Sequence, residues 1–158
     1  MPPNPPAGFV ARGGVWVLLQ NALTLSVLIA GPVGHSLDWH WGWRAPGIPL
    51  MSLAAWLGIG GVLALGRNLS PYPRSARATE VVQSGVYALV RHPLYGCLIC
   101  GAMGWALLWS SYTAVALAIA HALALLGKAQ IEEEWMRGRF PDYPAYARRV
   151  RRFIPWVW

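Results

Sequence analysis

Two short polar segments of this sequence carry residues whose types and spacing suit the binding of a small charged ligand. Arg91-His92-Pro93 stands directly before an apolar run, and Glu132-Glu133 follows another one. Proline is favoured in the first turn of a helix, so Arg91 and His92 are predicted to lie at a helix N-terminus. A cation, an imidazole and a positive helix end together favour an anion such as a carboxylate. The alternative is that Arg91 reaches lipid phosphate and His92 only caps the helix.

The second segment is predicted to continue the helix that precedes it, because neither Pro nor Gly interrupts residues 128–137. On that helix His121, Lys128 and Glu132 share one face, which would be polar within an apolar helix. The three consecutive acids that start at Glu132 are unusual beside a membrane surface with anionic lipid, which favours a functional role. Alternatively, Lys128 and Glu132 form an i,i+4 pair on a solvated helix, and His121 is a buried imidazole bonded to backbone. Spacing alone leaves both interpretations open.

The composition indicates which elements position these residues. Apolar residues make up 56% of the 158-residue chain, and charged residues make up only 12%. A soluble globular protein has roughly 25% charged residues, so the composition argues against a soluble enzyme, a disordered tail or a DNA-binding module. The formal net charge of +7 lies beside long apolar runs, which suits anionic lipid better than nucleic acid. The sequence therefore predicts an integral membrane protein whose partners are lipids.

Four apolar stretches are predicted to cross the bilayer as helices. They cover residues 15–33, 48–65, 94–109 and 112–127. The last two are separated only by two serines and are predicted to form an antiparallel hairpin. Both are short, so they need tilt or local thinning of the bilayer. The predicted fold class is all-α: one membrane-embedded domain over residues 1–158, with about four spans and cytoplasmic helices after the last one.

The distribution of basic residues predicts the orientation. All but one of the thirteen Lys and Arg residues lie in the two terminal regions or in the loop 66–92, the exception being Arg44. The positive-inside rule therefore places both termini and this loop in the cytoplasm, and the tryptophans at 39, 41 and 43 at the opposite interface. The proline-rich start is no obvious cleavable signal, so the first span is predicted to be retained. The Arg-rich tail 148–156 is predicted to anchor the chain at the membrane interface.

Small residues within the spans predict close helix packing and no metal site. Cys97 and Cys100 lie on one face of the third span without further metal-type residues nearby. Glycines at 58, 60, 61, 101 and 104 are predicted to mark the places where helices approach closely.

Taken together, the two polar segments resemble the isoprenylcysteine carboxyl methyltransferase and phospholipid methyltransferase superfamily, in its short bacterial form. The resemblance covers roughly residues 64–156 and includes an apolar hairpin between the segments. Its motifs are Ser84-Gly85-Val86-Tyr87, Arg91-His92-Pro93-Leu94-Tyr95, Glu132-Glu133, the aromatic residues Phe140, Tyr143 and Tyr146, and Arg152-Phe153-Ile154-Pro155. The chain departs from the pattern where Pro141 stands in place of a common Gly, and where Lys128 replaces an Arg.

The resemblance implies a multi-span bacterial enzyme that binds S-adenosylmethionine on the cytoplasmic side of the inner membrane. Its acceptor would be a lipophilic molecule that enters from the bilayer. The implied cofactor contacts are Thr79, Glu80, Val81, Val82, Tyr87, Arg91, His92, Glu132 and Glu133. Of these, Arg91, His92 and Glu132 would be catalytic. Lys128 and Tyr95 would bind the substrate.

The chemistry of these side chains agrees with that implication. The helix end with Arg91 and His92 suits the carboxylate of S-adenosylmethionine, Glu132 or Glu133 suits its ammonium or ribose hydroxyls, and Tyr87 offers an aromatic face. Methyl transfer is an in-line displacement that needs alignment and exclusion of water more than an acid or base. An amine acceptor would have to lose a proton, which His92 or a glutamate could take. The acceptor atom stays open among oxygen, nitrogen and sulfur.

Two other functions compete with methyl transfer. Sterol reductases have a similar membrane core and a comparable His-Pro-x-Tyr segment but use NADPH; this chain is much shorter and shows no obvious 2′-phosphate site. A non-catalytic membrane scaffold that binds lipid headgroups would present no concave cytoplasmic face.

Overall fold

The computed structural model describes residues 8–36, 41–74 and 80–154. The helices in these residues are α1 (Gly14–Val33), α2 (Trp41–Arg44), α3 (Gly47–Leu65), α4 (Pro93–Leu108), α5 (Tyr112–Arg139) and α6 (Tyr143–Arg149), with 3₁₀ turns at Gly66–Asn68 and Gly85–Ala88. The described part of the chain has no β-strand, only an isolated parallel bridge between Val90 and Arg151. The predicted all-α membrane fold is therefore confirmed.

Helix lengths divide the predicted spans into three long ones and a short one. Three helical segments are long and apolar enough to cross a membrane: α1, the segment Trp41–Asn68 that contains α3, and α5. The 16 residues of α4 extend about 24 Å at 1.5 Å per residue, less than the roughly 30 Å of a hydrocarbon core. By contrast, the 28 residues of α5 extend about 42 Å. The last turns of α5 therefore continue past the membrane, as the sequence predicted.

The outer surface of these helices is apolar. Val33, Leu63 and Leu123 are 81%, 76% and 63% exposed. Such contiguous apolar exposure is rare on soluble monomers, and it fits contact with lipid chains. The chain is therefore a membrane protein.

The bundle is built around α4 and α5. Helix α4 packs against α3 and α5, and α1 packs against both α5 and α4. Close approach of α3 to α4 depends on glycine, because a Cβ on Gly104 would lie only 3.0 Å from the carbonyl oxygen of Gly47. The predicted role of Gly104 in helix packing is therefore confirmed.

The hairpin between α4 and α5 is fixed by serine side chains. Ser111 caps α5 by accepting a hydrogen bond from the Ala114 amide at 3.2 Å. It also donates to the Ala30 carbonyl of α1 at 2.8 Å. Arg44, the last residue of α2, donates to the Ser110 hydroxyl at 2.6 Å. These bonds join the α4–α5 hairpin to α1 and α2 at one end of the bundle.

The other end of the bundle gathers three segments that are distant in sequence. The Arg74 amide donates to the Arg12 carbonyl at 3.4 Å, and the Arg91 amide donates to the Arg151 carbonyl at 2.8 Å. The start of α1, the loop after α3 and the tail after α6 are therefore neighbours. The polar residues singled out from the sequence lie at this end.

Candidate functional site

The Arg91-His92 segment is positioned by the start of α4 and by the tail. Pro93 is the first residue of α4, as predicted, and His92 is its N-cap with φ −124° and ψ 58°. The amides of Arg91 and His92 donate to the carbonyls of Arg151 and Arg152, at 2.8 and 3.1 Å. These two amides are therefore already bonded within the chain and do not offer themselves to a ligand.

The carboxylate of Glu133 is the centre of a buried ionic cluster. The Glu133 side chain has no exposed surface. Arg91 donates to its Oε1 from Nε at 3.1 Å and from Nη2 at 2.8 Å. Arg152 donates to Oε1 from Nε and to Oε2 from Nη2, both at 3.0 Å, and Arg137 donates to Oε2 at 3.2 Å. Three guanidinium groups thus surround one carboxylate, so the cluster keeps an excess of positive charge.

The cluster changes the role expected for two residues. The anion held by Arg91 is the chain's own Glu133, and not a free ligand, because Arg91 is nearly buried and its Nη1 also donates to the carbonyls of Ala147 (2.8 Å) and Val150. Glu133 does not line the neighbouring cleft. Within the chain Glu133 contacts Arg91, Arg137, Arg152 and His92, and its contact with a cofactor stays a prediction.

His92 connects the ionic cluster with the cleft. Its Nε2 lies 3.1 Å from Oε1 of Glu133; an ionised carboxylate only accepts hydrogen bonds, so Nε2 carries a proton. In a neutral ring the lone pair is then on Nδ1, which lies 4.0 Å from Oε2 of Glu132. The ring stacks on Tyr95 and on Phe153, with centroid distances of 5.2 and 5.6 Å. The imidazole is therefore fixed in orientation, and its basic nitrogen lies beside Glu132.

Glu132 is the acid of the pair that reaches the cleft. Its side chain is 30% exposed, whereas that of Glu133 is fully buried. The Tyr95 hydroxyl donates to its Oε2 at 2.5 Å. One face of Glu132 is thus held by Tyr95, and the carboxylate remains accessible to a ligand.

The cleft itself lies between the end of α3, the start of α4, the end of α5 and α6. It encloses about 110 Å³ and is open on one side. Its lining residues include Asn68, Tyr72, Glu80, Val81, Val82, Tyr87, Arg91, His92, Tyr95, Glu132, Trp135, Met136, Tyr143 and Tyr146. Acidic, basic and aromatic side chains therefore converge on one concave surface.

Three tyrosines of the cleft stay neutral donors. Burial raises the pKa of Tyr87, Tyr143 and Tyr146 well above the usual tyrosine value. The Tyr146 hydroxyl donates to the carbonyl of Tyr87 at 2.7 Å. This bond joins α6 to the segment before α4, so α6 closes one side of the cleft.

Two residues of the polar face on α5 lie away from the cleft. Lys128 is 2% exposed and donates to Oε1 of Gln20 at 2.6 Å and to the carbonyl of Pro71 at 2.9 Å. Its ammonium also lies 5.1 Å from the centre of the Tyr95 ring. Lys128 therefore fastens α1 and the loop after α3 to α5, and of the two predicted substrate contacts only Tyr95 borders the cleft. His121 lies deeper in the bundle and is fully buried.

Most of the other residues predicted to contact the cofactor border the cleft. Glu80, Val81, Val82 and Tyr87 border the cleft, whereas Thr79 lies outside the described residues. In the tail, Arg152 binds Glu133 and Phe153 stacks on His92, whereas the anchoring of the tail at the membrane interface stays a prediction. Their place in the Arg-Phe-Ile-Pro motif was the signal that could have revealed this.

Comparison with known proteins agrees with this architecture. Residues 43–142 match the phospholipid methyltransferase family. The chain is also 32% identical over 157 residues to the nickel-cobalt-cadmium resistance protein NccN of Alcaligenes xylosoxydans xylosoxydans, covering 97% of this chain and 70% of that protein. It is 32% identical over 146 residues to the cobalt-zinc-cadmium resistance protein CzcN of Cupriavidus metallidurans, covering 91% of this chain and 63% of that protein.

These matches establish the family. The chain belongs to the phospholipid methyltransferase family, which confirms the resemblance seen in the two polar segments. The chain spans about two thirds of the length of these two relatives. Both relatives are named for resistance to metals. In residues 8–36, 41–74 and 80–154, no group of three or more His, Cys, Asp and Glu residues is arranged to hold a metal ion.

Proposed function

We propose that this protein is a membrane methyltransferase that binds S-adenosylmethionine in the cleft and methylates a lipophilic acceptor. The observation that carries the proposal is the accessible Glu132 carboxylate next to Nδ1 of His92, 4.0 Å away, backed by the buried Glu133 cluster. S-adenosylmethionine combines positive groups, a carboxylate, a ribose diol and an adenine ring. The cleft offers a complementary group for each of them.

The lining residues fit these parts as follows. Glu132 can accept hydrogen bonds from the ammonium or from the ribose hydroxyls. The excess positive charge around Glu133 favours the carboxylate at the His92 side of the cleft. Tyr87 and Trp135 offer aromatic surface to the adenine. The enclosed volume of about 110 Å³ is below the roughly 300–1,000 Å³ of typical ligand sites, so the ligand would also occupy the open side.

The proposed contribution of the protein to the reaction is mainly alignment. When bound, S-adenosylmethionine supplies an electrophilic methyl group on a positively charged sulfur. Holding two reactants in line can supply up to about 7–11 kcal/mol in ideal cases. His92 is held by Glu133 with Nδ1 toward Glu132, so it can accept a proton from an amine or phenol acceptor. A carboxylate or thiolate acceptor would need no such step.

The proposed location is the inner membrane of a bacterium, with the cleft in the cytoplasm. Arg12, Arg74, Arg91 and Arg152 lie at the end of the bundle that carries the cleft. Positively charged segments favour the cytoplasmic side, where S-adenosylmethionine is made. The acceptor would reach the cleft from the bilayer.

Calorimetry with purified protein in lipid nanodiscs tests the proposal. We expect wild-type protein to bind S-adenosylmethionine and Glu132→Gln to bind it about 10- to 100-fold more weakly, because a charge-assisted hydrogen bond contributes about 1.5–3 kcal/mol. Glu134→Gln is the matched control, since Glu134 is exposed on the same helix; it should bind like wild type.

Two results would contradict the proposal. One is the absence of S-adenosylmethionine binding by folded wild-type protein. The other is tighter binding of NADPH than of S-adenosylmethionine, which would favour a reductase of the sterol reductase type.

A further inference from the structure

The segment before α1 and the loop after α3 meet in a basic corner, formed by Arg12, Tyr72 and Arg74. The guanidinium carbon of Arg12 lies 4.5 Å from the centre of the Tyr72 ring. The rings of Phe9 and Tyr72 meet in a T-shaped contact with 6.2 Å between their centroids. Because a cation is attracted to the face of an aromatic ring, these contacts fix the orientation of the Arg12 side chain.

Arg74 is held beside Arg12 by two hydrogen bonds. Its amide donates to the Arg12 carbonyl at 3.4 Å, and its Nη1 donates to the Ala11 carbonyl at 3.1 Å. Two cationic side chains therefore belong to one small region of the surface. Like charges repel each other, so a bound anion would stabilise this corner.

The guanidinium group of Arg12 keeps donors that the chain does not use. Its Nε is buried and has no hydrogen-bond partner among the described residues. Its two terminal nitrogens, Nη1 and Nη2, also lack a partner there, but they are accessible at the surface. The planar edge of a guanidinium matches two oxygens of a phosphate or carboxylate. An anion can therefore bind to Nη1 and Nη2 without reaching the buried Nε.

The chain offers no acidic side chain to this corner. Each ion pair among the described residues has Glu132 or Glu133 as its acid, and none includes Arg12 or Arg74. Of the six acidic residues, only Asp38 lies outside the described part of the chain, and it follows the opposite end of α1. An anion that neutralises Arg12 and Arg74 therefore comes from outside the protein.

The position of the corner favours a lipid as the source of this anion. Arg12 lies just before the membrane helix α1, and the neighbouring Val10 and Val15 are 71% and 56% exposed. Exposed apolar residues next to fixed cations are expected where acyl chains meet headgroups. Basic residues beside a membrane helix attract anionic phospholipids.

We propose that Arg12 and Arg74 bind the phosphate group of an anionic phospholipid, in the leaflet where α1 begins. The phosphate oxygens would accept hydrogen bonds from Nη1 and Nη2 of Arg12. This lipid is a ligand and not the methyl acceptor, because Arg12 lies outside both the cleft lining and the residues 43–142 that match the family. Tyr72 borders the corner and also lines the cleft, so the bound lipid would support one wall of the cleft.

Native mass spectrometry of the full chain in detergent tests the site. Three ligands are titrated: phosphatidylglycerol, the diacylglycerol with the same acyl chains, and inorganic phosphate. We expect the first phosphatidylglycerol to bind at least about tenfold more tightly than the diacylglycerol, because a charge-assisted hydrogen bond corresponds to a factor of this order. Displacement of phosphatidylglycerol by inorganic phosphate would show that the phosphate group alone suffices, and lack of displacement would show that the lipid is required. Both results support a phosphate site.

Variants connect the preference for phosphatidylglycerol with the corner. Arg12→Gln should lower it about tenfold. Arg148→Gln is the matched control, because it removes the same charge from an exposed position; it should change the preference by less than about twofold, since exposed charges are screened. Tyr72→Phe keeps the aromatic face and should retain the preference, whereas Tyr72→Leu should weaken it. If Arg12→Gln does not fold, Arg74→Gln should lower the preference in the same direction.

The proposal is overturned if phosphatidylglycerol binds no more tightly than the diacylglycerol. It is also overturned if Arg148→Gln loses as much of the preference as Arg12→Gln, because the basic chain would then attract anionic lipid only in general. S-adenosylmethionine is absent from these titrations, so failure of the phosphate site and failure of the cleft are distinguishable.

Discussion

Glu133 and Glu132 are neighbours in sequence with opposite environments. Glu133 is surrounded by Arg91, Arg137, Arg152 and His92, and Glu132 borders the cleft. Burial of a carboxylate is tolerated only when cations and hydrogen bonds compensate for its lost hydration. Glu133 therefore organises the guanidinium groups and His92, and Glu132 is left available for a ligand.

Replacement of Glu133 tests this division. We expect Glu133→Ala to lower the free energy of unfolding by about 3–5 kcal/mol, because Arg91 would be left buried without its counter-charge. Glu134→Ala should change it by less than about 0.5 kcal/mol, as is usual for surface positions. Thermal unfolding in detergent, followed by fluorescence, measures both. Equal stability of the two variants would contradict the central role of Glu133.

At the scale of single residues, the sequence predicted which side chains lie close together but not which of them bond to each other. Arg-His-Pro and the two adjacent acids were recognised as one site, and Glu132 and His92 do border the cleft. Which of the two glutamates points inward depends on the rotation of α5 against α4. The partner Arg152 is supplied by a segment whose position follows from tertiary packing, so neither detail could be derived from spacing.

Among the elements, the segment 150–153 has the largest effect on the site. Its backbone carbonyls accept hydrogen bonds from Arg91 and His92, its Arg152 binds Glu133, and its Phe153 stacks on His92. This short segment therefore replaces the protein–water hydrogen bonds that the N-terminus of α4 would otherwise make.

Two shortened chains test whether segment 150–153, and not the residues after it, supports the cleft. A chain that ends at Arg149 should bind S-adenosylmethionine at least about tenfold more weakly, because His92 and Arg91 lose several hydrogen bonds worth about 1 kcal/mol each. A chain that ends at Ile154 should bind like the full chain. Calorimetry measures both, and equal affinity of the two truncated chains would show that segment 150–153 does not support the cleft.

The elements themselves were largely predictable. Uncharged stretches predicted both ends of α1, α3 and α4, and the start of α5, to within one residue. The continuation of α5 followed from the lack of Pro and Gly. The pairing of the tail with the start of α4 was not predictable, because its Arg and aromatic residues equally suit a membrane interface.

For the whole molecule, the bundle has a polar end and an end with exposed tryptophans. Segments that contain Arg12, Arg74 and Arg91 meet at the polar end. Trp41 and Trp43 are 72% and 63% exposed near the hairpin end, where Arg44 binds Ser110. Basic charge and indole rings are thus separated along the bundle, as expected for a protein oriented by the positive-inside rule.

Labelling of introduced cysteines tests this orientation. In a background with Cys97→Ala and Cys100→Ala, a membrane-impermeant maleimide should label Trp41→Cys from outside intact cells and leave Arg148→Cys unlabelled. Inside-out vesicles should give the reverse pattern. Labelling of Arg148→Cys from outside intact cells would place the cleft on the wrong side for a cytoplasmic ligand.

The tail pairing also sets an order of assembly during synthesis. Residues 150–153 follow helices α1 to α6 in the chain, so they leave the ribosome only after these helices have been made. Until then Glu133 lacks its bonds from Arg152, and the Arg91 amide lacks its bond to the Arg151 carbonyl. The end of the protein that carries the cleft therefore matures last, and a chain whose synthesis stops shortly before this point is an inserted bundle with an unfinished cleft.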